Sequence, residues 1–335
     1  MLNALRRRNH VLPGAVAFIG LTGSLWLSSL NIILVIPSLT LTVYLFYLEL
    51  VTQWSFRAPI RRKPAFEDQR YEQVMITVAN RKLAHYVAKG TPGAPLVWMC
   101  HGWTAGAFRM GARAEPFLER GWSVVLVDLP GHGISEGLTK WSAEESTTLL
   151  IGAVRQLQAK HPELFASGVV HYGHSIGAFI GLRLSKRRDE LEHAFDFRGW
   201  VMESPMTGYT EIFDETCNLL RIPAVLRPVV LRKTLRHFNA LNEATASFQR
   251  LEEADVPLWG MPQERVLLAQ AMPDERLGQI HHERLISLME SGSTPELLTK
   301  ALLEDLTHSG SHISASRDVV VKAWLDQHFT AYSSA

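Results

Sequence analysis

From Val11 to Leu48 the chain carries not one Asp, Glu, Lys or Arg. As a single helix this run would be about 57 Å long at ~1.5 Å per residue, far more than the ~30 Å hydrocarbon core of a bilayer. Two spans fit instead, about 11–30 and 32–51, with the turn around Ser28-Ser29-Leu30-Asn31. Pro37 falls in the second span, where a kink is expected. Arg6-Arg7-Arg8 precede the run, and Arg57, Arg61, Arg62 and Lys63 follow it. Positive flanks mark the cytoplasmic side, and an even number of spans leaves both flanks there. One tilted or re-entrant span and a cleaved signal peptide are the alternatives. The apolar region is longer than a signal-peptide core and shows no convincing small-x-small cleavage site. The expectation is a two-span membrane anchor over 1–51 with the rest of the chain on the cytoplasmic side, a bacterial inner membrane fitting better than an organelle.

Residues 52–70 read as a juxtamembrane linker, with Trp54 and Phe56 suited to the interface. Beyond it, β-prone apolar runs alternate with helical stretches. Strands are predicted over 72–79, 82–88, 95–100, 122–127, 168–172, 198–203, 265–270 and 300–306. Helices are predicted over 107–120, 142–159, 176–188 and 318–329. That alternation predicts βαβ units and a parallel sheet, with the first two strands as an edge hairpin. It breaks between about Met206 and Val256, so the core is expected in two parts, 71–206 and 256–335, around a helical lid at 207–255. Within that insertion, Cys217–Asn242 has no acidic residue but carries Arg221, Arg227, Arg232, Lys233 and Arg236 among many leucines and valines. Such a mixture suits either a membrane surface or an ordinary solvated basic face.

Bulk properties narrow the picture only slightly. The net charge of +1 gives no electrostatic case for nucleic acid. The two cysteines, Cys100 and Cys217, form neither a metal-type spacing nor a disulfide framework.

The chemistry concentrates at Gly173-His174-Ser175-Ile176-Gly177. An apolar β-prone run precedes it and a helix-compatible run follows, the context that holds a serine on a strained elbow with its hydroxyl exposed. Side chains at 173 or 177 would collide with the neighbouring strand and helix. A serine needs a base, and the base needs an orienting acid. In this architecture acid and histidine follow the serine along the chain, each on a loop after a strand. Asp274, after the strand through Gln270, is the expected acid, with Glu203 as rival. His312, after Gly310-Ser311, is the expected base, with His308 as rival. His281 and His282 fall in an apparent helix and read as surface residues. The oxyanion hole needs two backbone N–H groups, expected from Ile176 and from Trp103 in the loop His101-Gly102-Trp103, with His101 bracing that loop. The turn Asp128-Leu129-Pro130-Gly131-His132-Gly133-Ile134-Ser135 lacks the spacing of a phosphate-binding loop and reads as a tight turn bordering the site.

In that order, these pieces resemble the α/β-hydrolase superfamily over about residues 70–330. The nearest branch is the serine-nucleophile one: lipases, monoacylglycerol-lipase-like esterases and proline-iminopeptidase-like enzymes. The resemblance implies an α/β fold with an eight-stranded, mostly parallel sheet and a helical lid after the sixth strand. It also implies a Ser175–His312–Asp274 triad with a hole from Trp103 and Ile176, and neither metal nor organic cofactor. Ala271 stands where the family's acid loop usually has glycine, and Gln270 precedes it. The membrane hairpin is outside the common pattern. The expected activity is hydrolysis of carboxylic esters of lipids or other acyl compounds beside the bilayer. An aminopeptidase-type amidase, a thioesterase and a non-catalytic membrane-bound binding module remain as alternatives.

Overall fold

The computed structural model describes residues 6, 8, 10–59, 63–310 and 312–329. Arg7, Arg61, Arg62 and Ser311, named above, lie outside them. The described residues fall into two compact units. One comprises Met1–Ala58, Leu138–Glu145 and Phe213–Leu251; the other comprises Pro59–Gly137, Ser146–Ile212 and Glu252–Ala335.

In the first unit the apolar run forms α1 (Val11–Leu30) and, after a 3-10 turn at Ile32–Leu34, α2 (Val35–Trp54). Asn31 makes the turn, its side-chain oxygen accepting from the Ile33 N–H at 3.0 Å. Pro37 lies in the first turn of α2, where its missing N–H has no helical partner to lose, and not in a mid-helix position where it would kink. Small residues line the contact between the two helices. Ser24 and Ser38 hydroxyls hydrogen-bond at 2.8 Å, and a side chain on Gly20 would run into Thr42. Most other apolar side chains are exposed, among them Phe18, Leu25, Ile32 and Ile36. Both helices are long and apolar enough to cross a membrane.

The same unit holds most of the insertion: all but the start of α6 (Thr210–Leu219), and then α7 (Arg227–Leu241). Cys217, Ile222 and Val230 bury against Leu48 and Val51 of α2, with Tyr44, Tyr47 and Leu226 packed around them. Glu49, the acidic residue of α2, pairs with Lys233 of α7.

The second unit is built on one eight-stranded sheet in the order β1-β2-β4-β3-β5-β6-β7-β8. β1 (Glu72–Val78) and β2 (Arg81–Ala88) form an antiparallel edge hairpin, and β2 is antiparallel to β4 (Ser123–Val127). β3 (Leu96–Cys100), β5 (Val169–His174), β6 (Phe197–Glu203), β7 (Arg265–Ala271) and β8 (Leu298–Leu303) continue it in parallel. Every residue of β3 and β4 is buried. This is why both read as unbroken apolar runs, as strands covered on both faces do. The connecting helices are α3 (Gly111–Leu118), α4 (Ala143–Lys160), α5 (Ile176–Lys186), α8 (Ile280–Glu290) and α9 (Ala315–His328). The sheet's parallel strands end together, so the loops after β3, β5, β6, β7 and β8 gather at one edge, where open α/β sheets bind ligands.

Candidate active site

Ser175 sits between β5 and α5 with φ 53° and ψ −118°, a conformation that side-chain-bearing residues rarely adopt. Backbone strain of this kind costs about 1–3 kcal/mol and persists only when its surroundings hold it. Here the Ser175 N–H donates to the Glu203 carbonyl at 3.0 Å, and the Ser175 carbonyl accepts from Ala178 and Met206 at 3.1 and 3.2 Å. The two glycines are required by space: a Cβ on Gly173 would meet the backbone of Ala178, and one on Gly177 the carbonyl of Cys100.

His308 provides the hydrogen-bond partner of that serine. Its Nε2 lies 3.0 Å from Ser175 Oγ, and its Nδ1 lies 2.8 Å from Asp274 Oδ2. With the Nδ1 proton on the carboxylate side, Nε2 accepts from the serine hydroxyl, which is the arrangement a general base needs. Asp274 is fixed in turn. Its Oδ1 accepts from the N–H groups of Arg276 and Leu277 at 2.9 Å each, and Gln270 Nε2 donates to Oδ2 at 3.2 Å. Burial alone would raise the Asp274 carboxyl, but the His308 bond and the two backbone donors outweigh it and hold it at about 2. The carboxylate is therefore ionised opposite the imidazole. Gln270, a departure from the usual acid loop, is one of the groups that orient it.

The loop after β3 borders the serine. A Cβ on Gly102 would come within 3.4 Å of the Ser175 Cβ. His101 is fully buried, with its Nδ1–H on the Gly102 carbonyl at 2.7 Å and its Nε2 accepting from the Leu129 N–H at 3.1 Å. Asp128 ties the turn after β4 to the same loop, accepting from Ala107 at 2.7 Å and from Ile134 at 3.0 Å. Trp103 follows Gly102 in this loop and is 41% exposed. Ile176 is the first residue of α5, so its N–H has no partner within the helix.

The fold agrees with known proteins. Esterase Pf2001 from Pyrococcus furiosus superimposes with a TM-score of 0.56 at 17% identity, covering 81% of this chain and 97% of its own. Mouse alpha/beta hydrolase domain-containing protein 10 gives 0.52 at 13% identity, covering 78% and 100%. The chain has the α/β-hydrolase fold. Residues 92–253 of the chain match the family described as serine aminopeptidase, S33. A stretch of 151 residues is 30% identical to protein-glutamate methylesterase FrzG of Myxococcus xanthus, covering 44% of this chain and 41% of that protein's length.

The structure departs from expectation at the histidine. His312 is exposed and accepts from the Arg109 guanidinium at 2.9 Å; it does not join Ser175, and His308 does. The physical reason is where β8 stops. The strand ends at Leu303, three residues before the predicted end at 306, so the loop reaches the serine earlier and presents His308. Glu203, the rival acid, is committed elsewhere. It is buried at the end of β6 and takes two bonds from Arg113, at 2.7 and 2.5 Å, and one from Tyr172 at 2.6 Å. Burial would raise its carboxyl, yet the Arg113 charge and bonds hold it well below the usual carboxylate range. His281 and His282, expected at the surface, are buried on α8, and His281 Nδ1 faces the Thr207 N–H at 3.1 Å. Among the described residues no group of three or more His, Cys, Asp or Glu is placed to hold a metal ion.

Proposed function

We propose that this α/β hydrolase is a membrane-tethered serine esterase acting on carboxylic esters of lipids or other acyl compounds. The observation that carries the reading is the continuous relay Ser175–His308–Asp274, with 3.0 and 2.8 Å links. Ser175 Oγ attacks the ester carbonyl while His308 Nε2 takes its proton. Asp274 keeps the ring in the reactive tautomer and stabilises the imidazolium. The N–H groups of Trp103 and Ile176 receive the oxyanion, each such donor being worth about 3–4 kcal/mol of barrier. The C–O bond breaks as His308 returns the proton to the leaving alcohol. A water then loses its proton to His308, attacks the acyl group and frees Ser175.

The esterase activities named for FrzG and Pf2001 support ester over amide chemistry. The aminopeptidase reading draws on the family description matched by residues 92–253. It requires a group for the substrate's α-amino end, and Glu203, the candidate for it, is neutralised by Arg113. Anchoring by α1 and α2 beside the bilayer favours a lipid or membrane-borne acyl substrate.

The test uses the purified full chain. A fluorophosphonate should label the wild type and not Ser175→Ala, and p-nitrophenyl esters of graded chain length should be cleaved in preference to aminoacyl anilides. Unlabelled but folded protein would remove the enzyme assignment, and a preference for anilides would replace esterase by peptidase.

A further inference from the structure

The insertion between β6 and β7 runs alongside α2 with a fixed direction. Lys233 pairs with Glu49, and four residues later the His237 ring stacks on Phe56 at 5.5 Å. Later positions of α7 thus meet later positions of α2 and the residues just beyond its end. Val230 near the start of α7 and Ile222 in the turn before it share one buried cluster with Leu48 and Val51, against which Tyr44 and Tyr47 also pack. If α2 spans the bilayer from about Ile32 to Val51, Tyr44 lies roughly 10 Å inside the end of the span at ~1.5 Å per residue. The part of the insertion in this cluster is carried to between that depth and the end of the span.

The outward side of the insertion is graded accordingly. Leu219 and Val225 are 80% and 81% exposed, and Val229 continues the stripe one helical turn on. Arg232 and Arg236 follow on the same face, also exposed, with Arg236 about 16 Å from Val225 along the axis. Arg236 lines one cavity of about 300 Å³ with Arg6, Asn239, Ala240, Glu243 and Ser247. It is therefore level with the basic flank that precedes α1. Arg221, exposed near the apolar end, has a side chain long enough to reach back toward headgroups.

We propose that this face is docked in phospholipid, resting on the reading above that α1 and α2 cross the membrane. Leu219, Val225 and Val229 lie among acyl chains of the leaflet that the C-terminal end of α2 leaves, and Arg232 and Arg236 lie at its anionic phosphate headgroups. The apolar end and the cations are spaced as an interfacial element requires. The Glu49–Lys233 pair follows from the same arrangement, because it lets an acidic residue sit near the end of a spanning helix with its charge matched.

The experiment places an environment-sensitive fluorophore on single cysteines introduced as Val225→Cys, Leu25→Cys and Val319→Cys in the full chain, reconstituted in nanodiscs. Unmodified protein gives the background, since Cys100 and Cys217 are buried. Brominated phosphatidylglycerol is the quencher. The expected result is strong quenching at 25 and at 225, at least threefold above that at 319 on α9. Quenching at 25 with none at 225 overturns the docked face and leaves the membrane reading intact. No quenching at 25 overturns both. Equal quenching at 225 and 319 also overturns the proposal, since it shows adhesion of the whole protein.

Discussion

His174 Nε2 lies 2.8 Å from the carbonyl oxygen of His308. The residue just before the nucleophile thus holds the backbone of the base, although 134 positions separate them in the chain. Burial first, and then the nearby Arg113 charge, push the His174 ring down to about 3. It is neutral at ordinary pH, with its Nε2–H as the donor to that carbonyl.

His174→Ala should lower kcat on a soluble p-nitrophenyl ester about tenfold, the worth of one buried hydrogen bond, with KM changed less than twofold. Because the ring is neutral throughout, the deficit should be constant from pH 6 to 9. Counting active sites by fluorophosphonate titration separates this effect from partial unfolding. A deficit that vanished once rates were normalised to titrated sites would remove the positioning role.

His308→Ala should reduce kcat/KM by about 10⁴ or more, as removal of a triad member does. His312→Ala should stay within threefold of wild type, since its contact is with Arg109 on the surface. Steady-state kinetics on the same ester decide the matter, and the opposite ranking would return the base to His312.

The Arg113–Glu203 pair is almost fully buried, with both side chains at most 3% exposed. Glu203→Gln leaves a buried guanidinium without its carboxylate and should cost about 3–5 kcal/mol in denaturant unfolding. Replacing both partners with apolar residues should cost less than the sum of the two single changes, with Arg317 still facing the site. Strict additivity of the two would mean that the partners are not coupled.

Acid should weaken the fold through Asp274. Its folded carboxyl is held at about 2 against an ordinary 3.8. A depressed folded value contributes stability that is present above pH ~4 and is lost as pH falls from there toward 2. Asp274→Asn should flatten that part of the stability profile measured by denaturant midpoints. An unchanged slope would show that its partners do not favour the ionised form.

Local features were legible and distant ones were not, and particular residues show why. The elbow is readable because β5, Ser175 and α5 are adjacent in the chain, and Gly173 and Gly177 are dictated by collisions within a few residues. The two long helices are readable because helix length and apolar character are properties of one uninterrupted apolar run. The end of β8 was not readable. It is an edge strand whose residues are only partly buried, so the apolar signal faded without a boundary and displaced the expected base by four residues. His281 and His282 looked like surface residues as a polar pair in a helix, yet they lie on the side of α8 that buries Leu285 and Met289.

The amino-acid order alone determined the strand sequence, the place of the serine and the two long apolar helices, since each depends on neighbours along the chain. Tertiary structure decided which histidine reaches Ser175, that Glu203 belongs to Arg113, and that α7 lies along α2 through Lys233 and Glu49. Those outcomes depend on where separate segments stop and meet in space, to within an ångström or two, and no local pattern encodes a distance between segments.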